Sequence, residues 1–153
     1  MANLPSAAQC VETPIGHFTL CATDSALLKL LPGAEQSLPS NALTEEAATQ
    51  LCAYFSGQLR QFDLPLAAAG TPFQKRCWSV LATINYGETR SYAWQAQQMG
   101  NSQLARAAGS ANGANPLPFF IPCHRIITIN GGLGGYNLGI QNKLWLLNHE
   151  AYI

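Results

Sequence analysis

The sequence predicts an α/β (α+β) protein in two parts, a small sheet-and-helix domain over residues 1–69 and a mainly helical domain with a helix-turn-helix over residues 70–153. Three observations predict it. Apolar and polar residues alternate near the N-terminus with the period of a strand. Three helix-start signals follow one another beyond residue 70, each a Ser or Thr ahead of an apolar-periodic run. A run of small residues, Ala67 to Gly70, separates the two patterns as a linker.

In the first domain, Phe18, Leu20 and Ala22 point one way while His17, Thr19 and Cys21 point the other, which predicts a half-buried strand. A Thr23-Asp24-Ser25 turn leads to Leu27–Leu31, its hairpin partner. Pro32 to Ser40 reads as loop. Thr44 is the expected cap of a helix with Glu45 and Glu46 in its first turn, where carboxylates suit the helix dipole. Ala47, Leu51, Tyr54 and Phe55 form its apolar stripe and Gly57 closes it. Phe62 to Leu66 is short and extended.

In the second domain, Thr71-Pro72-Phe73-Gln74 places threonine at a cap, proline at the first helical position and glutamine at the third. Phe73, Cys77, Val80, Leu81 and Ile84 mark the buried face, and Asn85-Tyr86-Gly87 ends the helix. Ser91 caps a short helix through Met99, Gly100-Asn101 turns, and Ser102 caps a third helix to about Ala111. Two short helices joined at a glycine match a helix-turn-helix, and equally an ordinary helical hairpin. The third helix sets a single long side chain, Arg106, among Ala105, Ala107, Ala108, Gly109, Ser110, Ala111 and Gly113. Such small residues suit close packing on a neighbouring helix, or close approach to a narrow DNA groove that Arg106 enters.

Composition narrows the class. Hydrophobic residues make up 48% of the 153 and charged residues 10%, which excludes bulk disorder. The formal net charge is zero but unevenly spread. Residues 1–70 carry two basic against six acidic side chains, a net of −4, and residues 71–153 carry the reverse, +4. An acidic half followed by a basic half points to nucleic acid in the second. The five cysteines, at 10, 21, 52, 77 and 123, are odd in number and irregular in spacing. They form no disulfide framework, which predicts a reducing, cytoplasmic setting. Cys10, His17 and Cys21 match no metal spacing, so no metal is expected. The N-terminus shows neither a basic region nor a long apolar run, so no secretory signal is expected, and no apolar run reaches membrane-spanning length.

The chemistry-bearing motif is Pro122-Cys123-His124-Arg125, led in by the apolar run Leu117 to Ile121. Cysteine attacks as the thiolate, and a neighbouring base or electropositive site raises its thiolate fraction. A Gly-rich loop and a helix ending in His149-Glu150 follow downstream.

The run from Asn115 to Ile127 resembles the active-site signature of the O6-alkylguanine-DNA alkyltransferases, the methylated-DNA–protein-cysteine methyltransferases. Gly70 to Gln74, Tyr86 to Tyr92, Arg106 to Gly109 and Trp145 to Glu150 resemble further motifs of that family, in family order. The likeness is strong over residues 70–150 and looser over 12–66. It implies a ribonuclease-H-like N-terminal domain and a helical, winged-helix-like C-terminal domain. It implies repair by direct reversal: a monomer binds double-stranded DNA through the minor groove and flips an O6-alkylguanine out of the stack. The alkyl group then moves irreversibly to the cysteine, without a cofactor, and O4-alkylthymine is a second candidate substrate.

Carried over residue by residue, the resemblance makes Cys123 the alkyl acceptor and His124 the base that takes its proton through a bridging water. Glu150 fixes the imidazole, with His149 the less favoured partner. Tyr92 meets the base at N3 and donates a proton. Asn115 ties the helix-turn-helix to the thiol turn, and Pro118 and Pro122 shape the pocket wall. Backbone carbonyls at Cys123 and Ile126 read the exocyclic amine, while Tyr136 and the Asn137 amide border the base. Arg106 fills the space of the flipped base, with Ala105 and Gly109 beside it on the DNA face, and Arg125 holds a structural ion pair. Two positions depart from the family pattern. Asn137-Leu138 stands where a small residue and glycine are frequent, and Leu138 at the pocket rim predicts slower reaction with benzyl than with methyl adducts. Ser102 stands where proline is frequent. Other classes compete: a non-catalytic sensor that only binds alkylated DNA, a Cys-His hydrolase or redox enzyme, and a helix-turn-helix transcription factor. The thiol argues against the first, and the lone arginine in an Ala/Gly helix against the second.

Overall fold

The computed structural model describes residues 4–151, and the chain divides into two compact units, Met1–Ala69 and Gly70–Ile153. The first unit is an antiparallel sheet in the order β1 (Ala7–Thr13), β2 (Gly16–Ala22), β3 (Leu27–Pro32), followed by helix α1 (Ala42–Phe55). Strand β1 is absent from the sequence reading. Its Ala7, Ala8 and Val11 are buried, but polar Gln9, Cys10 and Glu12 blur the alternation.

β2 is buried on both faces from Phe18 to Ala22, not half-buried as its alternation predicts. The cause is the segment after β3, which folds back over the polar face: Thr19 Oγ1 donates to the Gly33 carbonyl at 2.8 Å and accepts the Glu35 amide at 3.1 Å. A threonine whose hydroxyl is fully used can be buried without penalty. The extended piece ending at Leu66 makes a parallel bridge with Leu27.

Helix α1 starts earlier than Thr44 suggests. Asn41 is the cap and Thr44 its third residue, and the two side chains exchange hydrogen bonds with each other's backbone amides at 2.8 and 2.9 Å. Threonine thus plays the part Glu or Gln usually plays in a capping box. Ala47, Leu51, Tyr54 and Phe55 are buried, as the stripe predicts.

The second unit is mainly helical. α2 (Pro72–Leu81) opens with the predicted capping box of Thr71 and Gln74 but ends three residues before Ile84. Its buried face is Cys77, Trp78 and Leu81, while Phe73 and Val80 stay partly exposed. The Trp78 indole N–H donates to the Ala111 carbonyl at 2.9 Å, tying α2 to α4. Strand β4 (Arg90–Ser91) runs straight into α3 (Tyr92–Gln98), capped by Ser91 as expected. At the next turn Asn101, not Ser102, is the cap: its side-chain oxygen accepts the Gln103 amide at 3.0 Å. Residues Ser102–Leu104 form a single tight turn, and α4 (Ala105–Gly113) follows. Ala108 and Ala111 of α4 are buried, so part of its small-residue character serves packing. β5 (Ile126–Ile127) pairs in parallel with β4, Arg90 opposite Ile126 and Ser91 opposite Ile127. This short pairing sets Tyr92 next to the segment that carries the thiol. Helix α5 (Ile140–Ala151) brings the chain back, burying Lys143, Leu146 and Glu150 on one face. Among the described residues, no helix is long and apolar enough to cross a membrane.

Candidate active site

The turn that carries the thiol is held from below. The Asn115 amide donates to the Ile121 carbonyl at 2.8 Å, and its oxygen accepts the Leu117 amide at 2.9 Å. Between them Phe119 has φ 74, a left-handed conformation costly for a bulky residue, and is itself buried. This arch delivers Pro122 and a single helical turn, Cys123–Arg125, with the Cys123 amide bonded to the Ile121 carbonyl at 2.8 Å.

All three side chains of that turn are buried, and α5 supplies their partner. His124 Nε2 lies 2.7 Å from Glu150 Oε2. Arg125 donates to both oxygens of the same carboxylate, Nε to Oε1 at 2.8 Å and Nη2 to Oε2 at 3.0 Å. A further guanidinium N–H reaches the Ile84 carbonyl at 2.7 Å. Burial acts to raise the Glu150 pKa, but the hydrogen bonds and charges of His124 and Arg125 outweigh it and hold the carboxyl well below the usual range. Burial lowers the His124 pKa, with Arg125 and Lys143 adding to the effect and Glu150 opposing it. The imidazole is therefore neutral near pH 7. A neutral imidazole facing a carboxylate must put its proton on Nε2. Nδ1 keeps the lone pair, and it has no hydrogen-bond partner among the described residues.

Burial pushes the Cys123 thiol above its ordinary value. The Asn115 amide, the Lys143 charge and a backbone hydrogen bond draw it only partly back. The electropositive surroundings expected from the sequence are present, but desolvation exceeds them, and the resting group is the thiol.

Lys143 is one residue that sequence reasoning missed. Its side chain is fully buried, and its ammonium donates to the Ile126 and Gly135 carbonyls. Burial lowers its pKa to about 8. One signal was available: 143, 146 and 150 share a face of α5, so a lysine stood in line with Glu150. Tyr92 lies across the same loop, its ring centroid 6.0 Å from the Lys143 nitrogen. Burial raises its pKa, against a hydrogen bond from the Gly135 amide, so it is a neutral phenol and a competent donor. Gly134 permits this approach: at φ +72, a Cβ there would lie 2.8 Å from the Tyr92 oxygen.

Cys123 opens onto a cavity of about 150 Å³ lined by Tyr92, Gly109, Asn112, Gly113, Gly135, Tyr136 and Asn137. The fold thus gathers Cys123, Tyr92, Gly109, Tyr136 and Asn137 on one wall system, with His124 and Glu150 behind it. Asn115, Pro118 and Ile126 are buried supports that do not line the cavity. Arg106 is exposed on the first turn of α4 beside half-buried Ala105, outside the cavity. Leu138 is half-buried and is not among the residues lining the cavity. His149 stacks on Trp145 at 4.8 Å between ring centroids. Asn112 is a cavity residue that the sequence did not reveal.

Comparison with known proteins agrees with this geometry. Residues 72–152 match the family model of the 6-O-methylguanine DNA methyltransferase DNA binding domain, and residues 8–68 that of its ribonuclease-like domain. A methylated-DNA–protein-cysteine methyltransferase of Mycobacterium leprae is 43% identical over 149 residues, 93% of this chain and 90% of the relative. One from Methanosarcina acetivorans is 41% identical over 148 residues, 92% of this chain and 95% of the relative. The crystal structure of Mycobacterium tuberculosis O6-methylguanine methyltransferase superposes with a TM-score of 0.86 at 41% identity, covering 95% of this chain and 92% of that one. Mycobacterium tuberculosis OGT in complex with DNA gives 0.87 at 43% identity, over 94% and 92%. Two family models spanning most of the chain, with relatives this similar along nearly their whole length, establish that the chain belongs to the 6-O-methylguanine DNA methyltransferase family.

Proposed function

We propose that this protein repairs DNA by direct reversal of damage. It moves the alkyl group of an O6-alkylguanine irreversibly to Cys123, one group per molecule, as a methylated-DNA–protein-cysteine S-methyltransferase. One observation carries this reading: the Cys123 sulfur stands on a cavity wall, with a neutral imidazole behind it whose only unclaimed nitrogen is a proton acceptor.

The thiol proton passes through a water to His124 Nδ1, and Glu150 stabilises the imidazolium through Nε2. The charge of Lys143 favours the thiolate as it forms. The sulfur attacks the alkyl carbon, a C–S bond forms, and the C–O6 bond breaks with its electron pair left on guanine. Tyr92 gives its proton to N3 as that charge develops. The Cys123 carbonyl holds the exocyclic amine and the Asn137 amide meets O6, whereas the Ile126 carbonyl, away from the cavity lining, is taken by Lys143. The product thioether is stable, so the protein does not turn over, and no cofactor takes part.

DNA enters from the minor groove side of α4. The lone Arg106 occupies the place of the extruded base, and Ala105 and Gly109 let the helix approach. Support for DNA as partner comes from the related Mycobacterium tuberculosis protein solved with it. The five unpaired cysteines support a cytoplasmic location, and the protein acts as a monomer. A sensor that only binds the lesion has no use for a thiol poised in the cavity. The test is incubation of O6-methylguanine duplex with wild type and Cys123→Ala. Wild type gains one methyl on the Cys123 peptide by mass spectrometry and the variant none; a wild type that gains none, or turns over repeatedly, ends the reading.

A further inference from the structure

Between α3 and α4 lies a buried pair of amides that the mechanism does not use. Gln95 is fully buried and Asn112 is 7% exposed. Gln95 Nε2 donates to Asn112 Oδ1 at 2.9 Å, and Asn112 Nδ2 donates back to Gln95 Oε1 at 2.8 Å. Gln95 Nε2 also donates to the Cys77 carbonyl at 3.3 Å. That third bond settles how both amides face. A carbonyl can only accept, so Gln95 must present its nitrogen to Cys77 and its oxygen to Asn112, and Asn112 must answer with its nitrogen.

The count of donors is then uneven. An amide nitrogen carries two N–H groups. Gln95 spends both. Asn112 spends one, and its second has no acceptor among the described residues. Asn112 lines the same cavity as Cys123, flanked by Gly109 and Gly113, which add no side chain to screen it. A buried donor held without a partner is costly unless a ligand or water supplies one.

Building on the proposed alkyl transfer, the polar edges of the guanine already have partners: Tyr92 at N3, the Cys123 carbonyl at the amine, and the Asn137 amide at O6. The transferred substituent alone has none. We infer that Asn112 is a specificity-determining residue that donates its second N–H to an acceptor atom carried on the O6 substituent. The cavity therefore favours adducts whose chain bears an oxygen over hydrocarbon chains of equal size. Gln95 acts through Asn112 as a positioning residue.

The experiment compares single-turnover rates on duplexes carrying O6-(2-hydroxyethyl)guanine and O6-propylguanine, which have chains of the same length, with O6-methylguanine as reference. One neutral hydrogen bond corresponds to a preference of roughly 3- to 10-fold for hydroxyethyl over propyl in wild type. The double variant Gln95→Leu, Asn112→Leu removes both amides together, so neither is left unpaired, and its ratio falls to about one or below. Asn112→Asp, which keeps the acceptor and the size but loses the N–H, lowers the ratio as well. A wild-type ratio near one overturns the inference, and this needs no variant to fold. So does a variant in which both rates drop by the same factor, which assigns Asn112 to the base or to packing. Wild type that takes no methyl from the reference duplex refutes the alkyl-transfer reading instead.

Discussion

Arg125 and Glu150 meet in a two-pronged ion pair of 2.8 and 3.0 Å, and the oxygen that takes the longer prong also takes His124 Nε2 at 2.7 Å. One carboxylate thus locks the thiol turn to α5 and fixes the imidazole tautomer. Stability and reactivity are joined at a single side chain.

Glu150→Gln separates them only in degree. The guanidinium, 7% exposed, loses its counter-charge, and breaking a buried pair costs about 3–5 kcal/mol. The imidazole loses its anchor, so transfer slows by about 10²- to 10⁴-fold. Denaturant titration and single-turnover kinetics on the same preparation measure both. Unchanged stability means that the pair contributes nothing net.

The proposed role of Lys143 predicts an alkaline limb in the rate profile. Its pKa of about 8 means that the ammonium near the sulfur loses its charge just above neutrality, and the Cys123 pKa rises in response. The rate of wild type therefore levels and turns down near that pH. Lys143→Met is slower at neutral pH and lacks the downturn. A wild-type rate that climbs steadily past this range rules out the role.

Acid weakens the fold in two stages. The folded His124 pKa lies below its unfolded value of 6.5, so the unfolded chain binds the proton more readily and stability drops as pH falls from there. Glu150 is depressed from 4.5, so its contribution is complete above that value and is lost as pH falls toward the folded pKa. Urea midpoints taken from about pH 7 to pH 5 decline, and His124→Asn declines less. Equal slopes in the two proteins would show that another group titrates.

Arg106 is exposed and does not line the cavity, so the proposed flipping role predicts that its removal acts on DNA alone. Arg106→Ala slows transfer from duplex by roughly 10- to 100-fold, the scale of a few kcal/mol of base extrusion. Transfer from free O6-methylguanine base stays within about 2-fold of wild type. Parallel losses on both substrates refute a flipping role.

Gly134→Ala strikes Tyr92. The new Cβ would sit 2.8 Å from the phenol oxygen, and φ +72 disfavours any side chain there. Transfer slows about 10-fold or more as the donor is displaced, and Tyr92→Phe adds little to it. Additive losses in the double variant would place the effect elsewhere.

Local signals made most of the second unit legible. The Thr71 capping box, the Ser91 cap and the Pro122 to Arg125 motif each lie within a few consecutive residues, and local chemistry decides them. Caps were misplaced at Thr44 and Ser102 because Asn41 and Asn101, three residues and one residue earlier, are equally good caps and start each helix sooner. The buried second face of β2 was illegible, since the loop that covers Thr19 is distant in sequence.

By itself, the sequence determined that a thiol and an imidazole stand side by side, because Cys123 and His124 are neighbours along the chain. Only the tertiary structure decided that the thiol rests protonated, that Lys143 lies under the loop facing it, and that Asn112 lines the cavity while paired with Gln95. The physical reason is that desolvation and charge depend on distances across space. α4 precedes the thiol in sequence and α5 follows it, and no local pattern records that they meet there.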